Sequence, residues 1–275
     1  MKGAVKNMST DEVKAYLDAH GVGEYNLLDV RQDWEYEEFH LPGARLIPLP
    51  ELPDRLGEIN ADNPTLVYCA VGGRSSAAAN LINGQGFKDV YNMLGGIKAW
   101  KNEYAVGPQS LGMIQLSGNE SPIEILCLAY AMETNLGAFY SEMGSMKKQE
   151  LADAFTQLVK FENGHKAKVF NLARERDSSI KNRDDMEKRP SISALEGGVT
   201  AGEFLEGNKE YLKTPKGALE AAMMFEAQAL DLYMRFALKA EGGASIELLH
   251  TLAQEEKNHL KILGKLMDRK IVEES

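Results

Sequence analysis

Cysteine is nearly absent, with Cys69 and Cys127 the only two in 275 residues. Two thiols cannot build a disulfide framework, nor a four-cysteine zinc or iron–sulfur site within one chain. A reducing compartment, the cytoplasm, is the expectation that follows. Long apolar runs are also missing. No stretch approaches the roughly 20 residues of a membrane span, and Met1 to His20 lacks the apolar core of a secretory signal. Positive charge is scarce too: 31 Lys and Arg stand against 41 Asp and Glu, for a net charge of -10. The deficit is shared, with 10 basic against 15 acidic residues in 1–105 and 21 against 26 in the remainder. Neither half therefore reads as a nucleic-acid module. The rest of the composition, 44% hydrophobic and 26% charged, excludes disorder and collagen. At about 100–200 residues per domain, the length fits two domains.

The two halves differ in pattern. In the first hundred residues, Ser9-Thr10-Asp11-Glu12 is a capping box that opens a helix to about Ala19. Asn26–Val30, Thr65–Tyr68 and Val90–Met93 are short apolar runs suited to buried parallel strands, and a helix is predicted over Arg74–Gly84. This alternation predicts an α/β layer fold with a parallel sheet. From Ser121 the period lengthens. Four helices are predicted, over about 121–144, 147–176, 216–240 and 244–270, each with an apolar seam at 3–4 spacing. The outer pairs have short loops. About 40 residues, including Pro190 and Gly197-Gly198, join the second helix to the third. Four such helices with one long crossover predict a four-helix bundle. The domain boundaries predicted are 1–105, a linker over 106–120 with Gly107-Pro108, and 121–275.

Cys69-Ala70-Val71-Gly72-Gly73-Arg74 lies between a predicted strand and a predicted helix. A loop feeding a helix N-terminus aims backbone N–H groups inward as an anion cradle. A thiol placed there loses its proton more readily, and the thiolate is the nucleophile. Arg74 either braces the loop or fixes an anionic substrate. A buried structural cysteine at a strand end is the competing reading.

The first hundred residues, about 5–101, resemble the rhodanese family of sulfurtransferases. The likeness rests on Leu28-Asp29-Val30-Arg31, Glu35, His40-Leu41-Pro42-Gly43-Ala44, the loop Cys69-x-x-Gly72-x-Arg74-Ser75, and Leu94-Gly95-Gly96-Ile97-x-Ala99-Trp100. It implies that Cys69 carries sulfane sulfur as a persulfide. Cys69 and Arg74 become the catalytic pair, and Ala70, Val71, Gly72 and Gly73 the substrate cradle. The donor would be thiosulfate or a persulfide, and the acceptor a small thiol or a cyanide-like nucleophile. Four residues separate Cys69 from Arg74. Related phosphatase loops are one residue longer, which disfavours phosphatase or arsenate chemistry. Asp29, Arg31 and His40 are expected to hold loops together through charge-assisted hydrogen bonds.

The helical seams carry charge where Leu or Ala is expected: Glu133, then Glu162 and His165, then Glu226, then Glu256 and His259. Burying such groups is costly unless they are paired or bind metal. Residues i and i+3 share a helix face, so each Glu-x-x-His can reach one ion. A Glu from each of two helices plus Glu-x-x-His from the other two is the ligand set of di-iron carboxylate bundles, and hard oxygens with imidazoles suit iron or manganese. Glu247-x-x-His250 is a chance repeat. His250 lies nine residues before His259, about 2.5 turns away, and is expected to face solvent. Tyr140 and Tyr233 lie two turns past ligands, as donors to them or as ordinary core. Cys127 is expected in core packing.

Residues of about 118–270 resemble the ferritin-like superfamily, closest to its rubrerythrin branch. That resemblance implies two irons bridged by Glu162 and Glu256, with Glu133, Glu226, His165 and His259 terminal. Many rubrerythrins carry an extra carboxylate one turn from the third-helix ligand; Met223 and Ala229 occupy those positions here, and no cysteine pair supports a rubredoxin tail. The expectation is a multidomain enzyme: a rhodanese-type sulfurtransferase fused to a di-iron bundle that reduces peroxide or dioxygen with an unidentified electron donor. A role in oxidative-stress defence and a homo-oligomer, a dimer in the simplest case, are expected with it. Iron binding or redox and sulfide sensing stays open as an alternative, as does a sulfurtransferase with a structural, dimerising bundle.

Overall fold

Local sequence sets each element before packing does. The structure is a computed structural model describing residues 4–113, 116–145, 149–189 and 211–273. Five strands form one all-parallel sheet: β1 (Lys6–Met8), β2 (Asn26–Asp29), β3 (Arg45–Leu46), β4 (Thr65–Tyr68) and β5 (Val90–Met93), in the order β1-β5-β4-β2-β3. The three inner strands are the apolar runs predicted. The edge strands β1 and β3 are three and two residues long and partly polar, too short to show a period. Helices α1 (Thr10–Ala19), α2 (Asp33–Glu38), α3 (Leu52–Arg55) and α4 (Gly73–Gly84) cover the sheet. At α1 the Ser9 hydroxyl accepts from the Glu12 N–H at 3.3 Å, and the Glu12 carboxylate accepts from the Ser9 N–H at 2.7 Å. Two orphan N-terminal donors are thereby satisfied.

Both sheet faces are buried, which is why the strands read as continuous apolar runs. Leu28 and Val67 pack on one face with Ala78, Ala79 and Ile82 of α4. Their strand neighbours Leu27, Leu66 and Tyr68 pack on the other with Val13 of α1 and Tyr36 of α2.

The chain divides into two compact units, Met1–Gln109 and Ser110–Ser275. The second is mostly helical: α5 (Pro122–Ser145), α6 (Gln149–Arg176), the short α7 (Arg183–Glu187), α8 (Pro215–Lys239) and α9 (Gly243–Glu273). Thr214 caps α8 by accepting from the Gly217 N–H at 3.0 Å, with Pro215 in the first helical position. α5 packs on α6, α8 on α9, α6 on α8 and α9 on α5. Leu136, Tyr140, Phe155 and Phe225 are part of one buried cluster between them. No helix among the described residues is long and apolar enough to cross a membrane.

The segment read as a linker is tied down at both ends. The Gly107 N–H donates to the Glu37 carbonyl at 2.7 Å within the first unit. Within the second, Arg235 donates to the Leu111 carbonyl at 2.7 Å and Ser245 to the Glu120 carbonyl at 2.8 Å. His250 departs from expectation: it is half-buried and desolvation pulls its pKa down. The reason is that α9 is covered on more than one stripe, with the neighbours Leu248 and Leu249 both buried. Pro190 and Gly197-Gly198 of the long crossover lie outside the described residues.

Candidate functional sites

Cys69 follows the last residue of β4, at the carboxyl end of the central strand, the usual place for a ligand site in a parallel α/β sheet. Gly72 takes φ +105° and serves as the N-cap of α4, a conformation open to glycine and strained for other residues. That bend swings the Gly72 N–H onto Cys69 Sγ at 3.1 Å. The 95–97 turn closes the loop from below, where the Ile97 N–H donates to the Cys69 carbonyl at 2.8 Å and the Lys98 N–H to that of Ala70 at 3.1 Å. A side chain at Gly96 would put its Cβ 2.4 Å from the Cys69 carbonyl oxygen, which accounts for the glycine there.

Cys69 is only 1% exposed. Burial pushes its thiol pKa up, but the Ser75 hydroxyl and the N–H groups of Ser75, Gly72 and Val71 together bring it below the ordinary thiol value. The loop is thus a set of donors converging on a sulfur anion. Ser75 was not among the residues singled out for chemistry. It is fully buried, its hydroxyl 2.7 Å from Asn92 Oδ1, and Asn92 in turn donates to Asn7 at 2.9 Å. Asn92 in the otherwise apolar β5 was the available signal, a buried polar residue that needs a partner.

Of the two roles open to Arg74, the structure places the guanidinium in the brace. Its two terminal nitrogens donate to the two Glu35 oxygens at 2.6 and 2.7 Å, fastening α4 to α2. The Arg74 hydrogen bond holds Glu35 below the usual carboxylate range. Asp29, Arg31 and His40 are buried ties. Arg31 grips Asp29 at 2.7 to 3.0 Å and donates to the Phe39 carbonyl at 2.6 Å, while His40 stacks on Tyr36 at 3.6 Å.

In the helical unit, Glu133, Glu162, His165, Glu226, Glu256 and His259 are all 5% exposed or less. They meet as two groups. His165 Nδ1 is 3.3 Å from Glu133 Oε2 and 3.4 Å from Glu162 Oε2. His259 Nδ1 is 3.1 Å from Glu226 Oε2 and 2.8 Å from Glu256 Oε2. The imidazoles stack at 3.4 Å, so the groups abut, and the edge of Phe161 packs on both rings. Donor atoms of Glu133, Glu162 and His165, and of His165, Glu226 and His259, lie within 4.8 Å of one another. Burial pushes the Glu256 pKa up, yet its hydrogen bond with His259 holds it below the usual value. Tyr140 packs against Phe155 and Phe225 as core, and Tyr233 is buried. Burial pushes the Cys127 thiol up, away from nucleophilic range.

A converging N–H loop around a low-pKa cysteine at the end of a central parallel strand defines a class, the α/β cysteine-loop domains that hold a nucleophilic sulfur. Residues 9–103 match the family described as Rhodanese-like domain, and the chain belongs to that family through this unit. It is 40% identical over 101 residues to the Rhodanese-like/PpiC domain-containing protein 12, chloroplastic, of Arabidopsis thaliana, covering 35% of this chain and 34% of that one. It is 43% identical over 97 residues to the putative sulfur carrier protein YrkF of Bacillus subtilis, covering 35% and 51%. Over 78 residues it is 36% identical to the thiosulfate sulfurtransferase GlpE of Pseudomonas syringae, covering 28% and 74%. The chain thus spans about a third and a half of the length of the first two.

Proposed function

We propose that the chain joins two chemistries, with a domain of 1–105, a connecting segment of 106–120 and a second domain of 121–275. The first domain is a sulfurtransferase. The Cys69 thiolate attacks the sulfane sulfur of a donor such as thiosulfate or a persulfide. A sulfur–sulfur bond to Cys69 forms, and the donor's own bond breaks with its electron pair, leaving sulfite or a thiolate. An acceptor thiolate or cyanide then takes the outer sulfur and returns the Cys69 thiolate. The N–H groups around Sγ stabilise the anion at both stages, and the likeness to the thiosulfate sulfurtransferase GlpE and the putative sulfur carrier YrkF lends support.

The second domain is a ferritin-like four-helix bundle of the rubrerythrin type. Its six buried residues, Glu133, Glu162, His165, Glu226, Glu256 and His259, would hold two iron ions, with manganese as the substitute. The observation that carries this reading is Glu162: it is 1% exposed, and among the described residues neither carboxylate oxygen has a hydrogen-bond donor. Four buried carboxylates share that core with two imidazoles, a donor set that suits hard cations such as iron and manganese. When bound, the ions supply one-electron redox chemistry toward peroxide or dioxygen. The chain's own part is to orient both imidazole Nδ1 atoms inward, while Phe161 keeps water from the rings. Bundles of this type pair, and a dimer is the assembly proposed. Sulfur handling coupled to oxidative-stress defence is the joint role.

The test is elemental analysis of full-length protein purified without air, alongside mass spectrometry after treatment with a sulfur donor. About two iron or manganese ions per chain, turnover of peroxide by the Fe(II) form, and one added sulfur on Cys69 are expected. Metal-free protein that resists loading ends the oxidoreductase reading; a Cys69 that takes up no sulfur ends the other. Equal persulfide turnover with and without metal, and in Glu162→Ala, removes the coupling.

A further inference from the structure

The carboxylate–imidazole core of the helical unit is closed on most sides. On α8 the residues around Glu226, from Phe225 to Ala229, are all buried. On α5 Met132 and Leu136 beside Glu133 are buried too. On α9 Lys257, between Glu256 and His259, is buried as well. α6 differs. Between its ligands Glu162 and His165 stand Asn163 and Gly164, both exposed, and Phe161 before them is only partly buried. Phe161 touches both imidazoles edge-on, with ring centroids 4.2 Å from His165 and 5.3 Å from His259. About two turns further along α6, Lys168 meets Glu255 of α9 in an ion pair at 2.5 Å. An ammonium at that point repels an incoming metal cation. Phe161 is the uncharged side of the same approach.

Gly164 has no steric reason to be glycine. A Cβ there would meet nothing within 4 Å, and glycine weakens a helix interior relative to alanine. What a longer side chain would do is lean toward the N-terminus of α6, over positions 160 and 161, because helical side chains tilt that way. It would lie on Phe161 and hold the ring down. Resting on the metal reading of the helical unit, we propose that Phe161 is the gate through which metal ions and a small oxidant reach this core, and that Gly164 leaves the ring free to swing out. Displacing the ring opens the way to the adjoining Glu162 carboxylate, which is 1% exposed while the ring is in place. Phe161 acts on passage and not on the strength of binding.

A gate has a kinetic signature that a ligand or a packing residue lacks. It scales entry and exit by the same factor and leaves the equilibrium alone. The experiment follows Mn(II) uptake by the full-length protein, and its release to excess chelator, by electron paramagnetic resonance. Phe161→Ala should raise both rates at least about tenfold, and Gly164→Leu should lower both at least about fivefold, with Kd kept within about threefold in each. Gly164→Ala strengthens the helix but adds a methyl too short to cover the ring, and should keep the parent rates. If Phe161→Ala does not fold, the two Gly164 variants carry the test. Slowing by Ala equal to that by Leu assigns the effect to helix stiffness and overturns the gate. A changed Kd with unchanged uptake assigns Phe161 to packing and overturns it too, as do parent rates in both Phe161→Ala and Gly164→Leu. Failure of the parent protein to bind Mn(II) at all instead ends the metal reading on which the gate rests.

Discussion

Ser75 illustrates how a fully buried residue behind a nucleophile can set its reactivity. Its hydroxyl lies in the Cys69 cradle and is also 2.7 Å from Asn92. Removing it should weaken the polar cradle around the thiolate and raise the thiol pKa. Because the folded-state thiol pKa is depressed, thiolate is lost as pH falls through it. Ser75→Ala should therefore move the acid limb of the kcat/KM profile for sulfur uptake to higher pH, with the alkaline plateau much less affected. An unmoved limb would assign Ser75 to packing alone. At Glu162 the argument reverses. In chelator-treated protein, Glu162→Leu removes two buried carboxylate oxygens that have no hydrogen-bond donor among the described residues, and it should cost little stability. The same change should abolish stabilisation by added Fe(II) or Mn(II), read from urea denaturation with and without metal.

At the scale of elements, the cysteine loop is held between α4, α2 and the 95–97 turn. The Arg74–Glu35 bridge ties the first two. Arg74 is about a third exposed, so solvent discounts its contribution, and Arg74→Ala should destabilise the first unit by only about 1 kcal/mol in denaturant titration. The turn is less forgiving. Gly96→Ala places a Cβ 2.4 Å from the Cys69 carbonyl oxygen at a positive φ, so the backbone has to move. A loss of about 2–3 kcal/mol and a collapse of Cys69 sulfur uptake are expected. A Gly96→Ala protein with native stability and rate would show that the loop does not lean on this turn.

For the whole molecule, the two units each have their own apolar core, the sheet clusters in one and the aromatic cluster in the other. Calorimetry of the full chain should resolve two transitions. Metal added at 100 times its dissociation constant should stabilise only the helical one, by about 2.7 kcal/mol, because the residues proposed to hold it lie in that unit. A common shift of both transitions would mean that the units unfold as one.

The α/β and helical patterns, the three inner strands and the long helices to within about three residues were all legible, because burial on both faces or on one stripe writes itself into apolar spacing. The Cys69 loop was legible because its glycines sit between a strand and a helix. Edge strands of two and three residues were not, since no period fits in so short a run. Sequence by itself determined that six ionisable groups share helix faces with apolar seams, because i and i+3 coincide on any α-helix. Only tertiary structure decided which carboxylates face which imidazole, that Arg74 is spent on Glu35, and that Ser75 and Asn92 stand behind the thiol. Those are contacts between residues up to 39 positions apart, and local spacing holds no record of such distances.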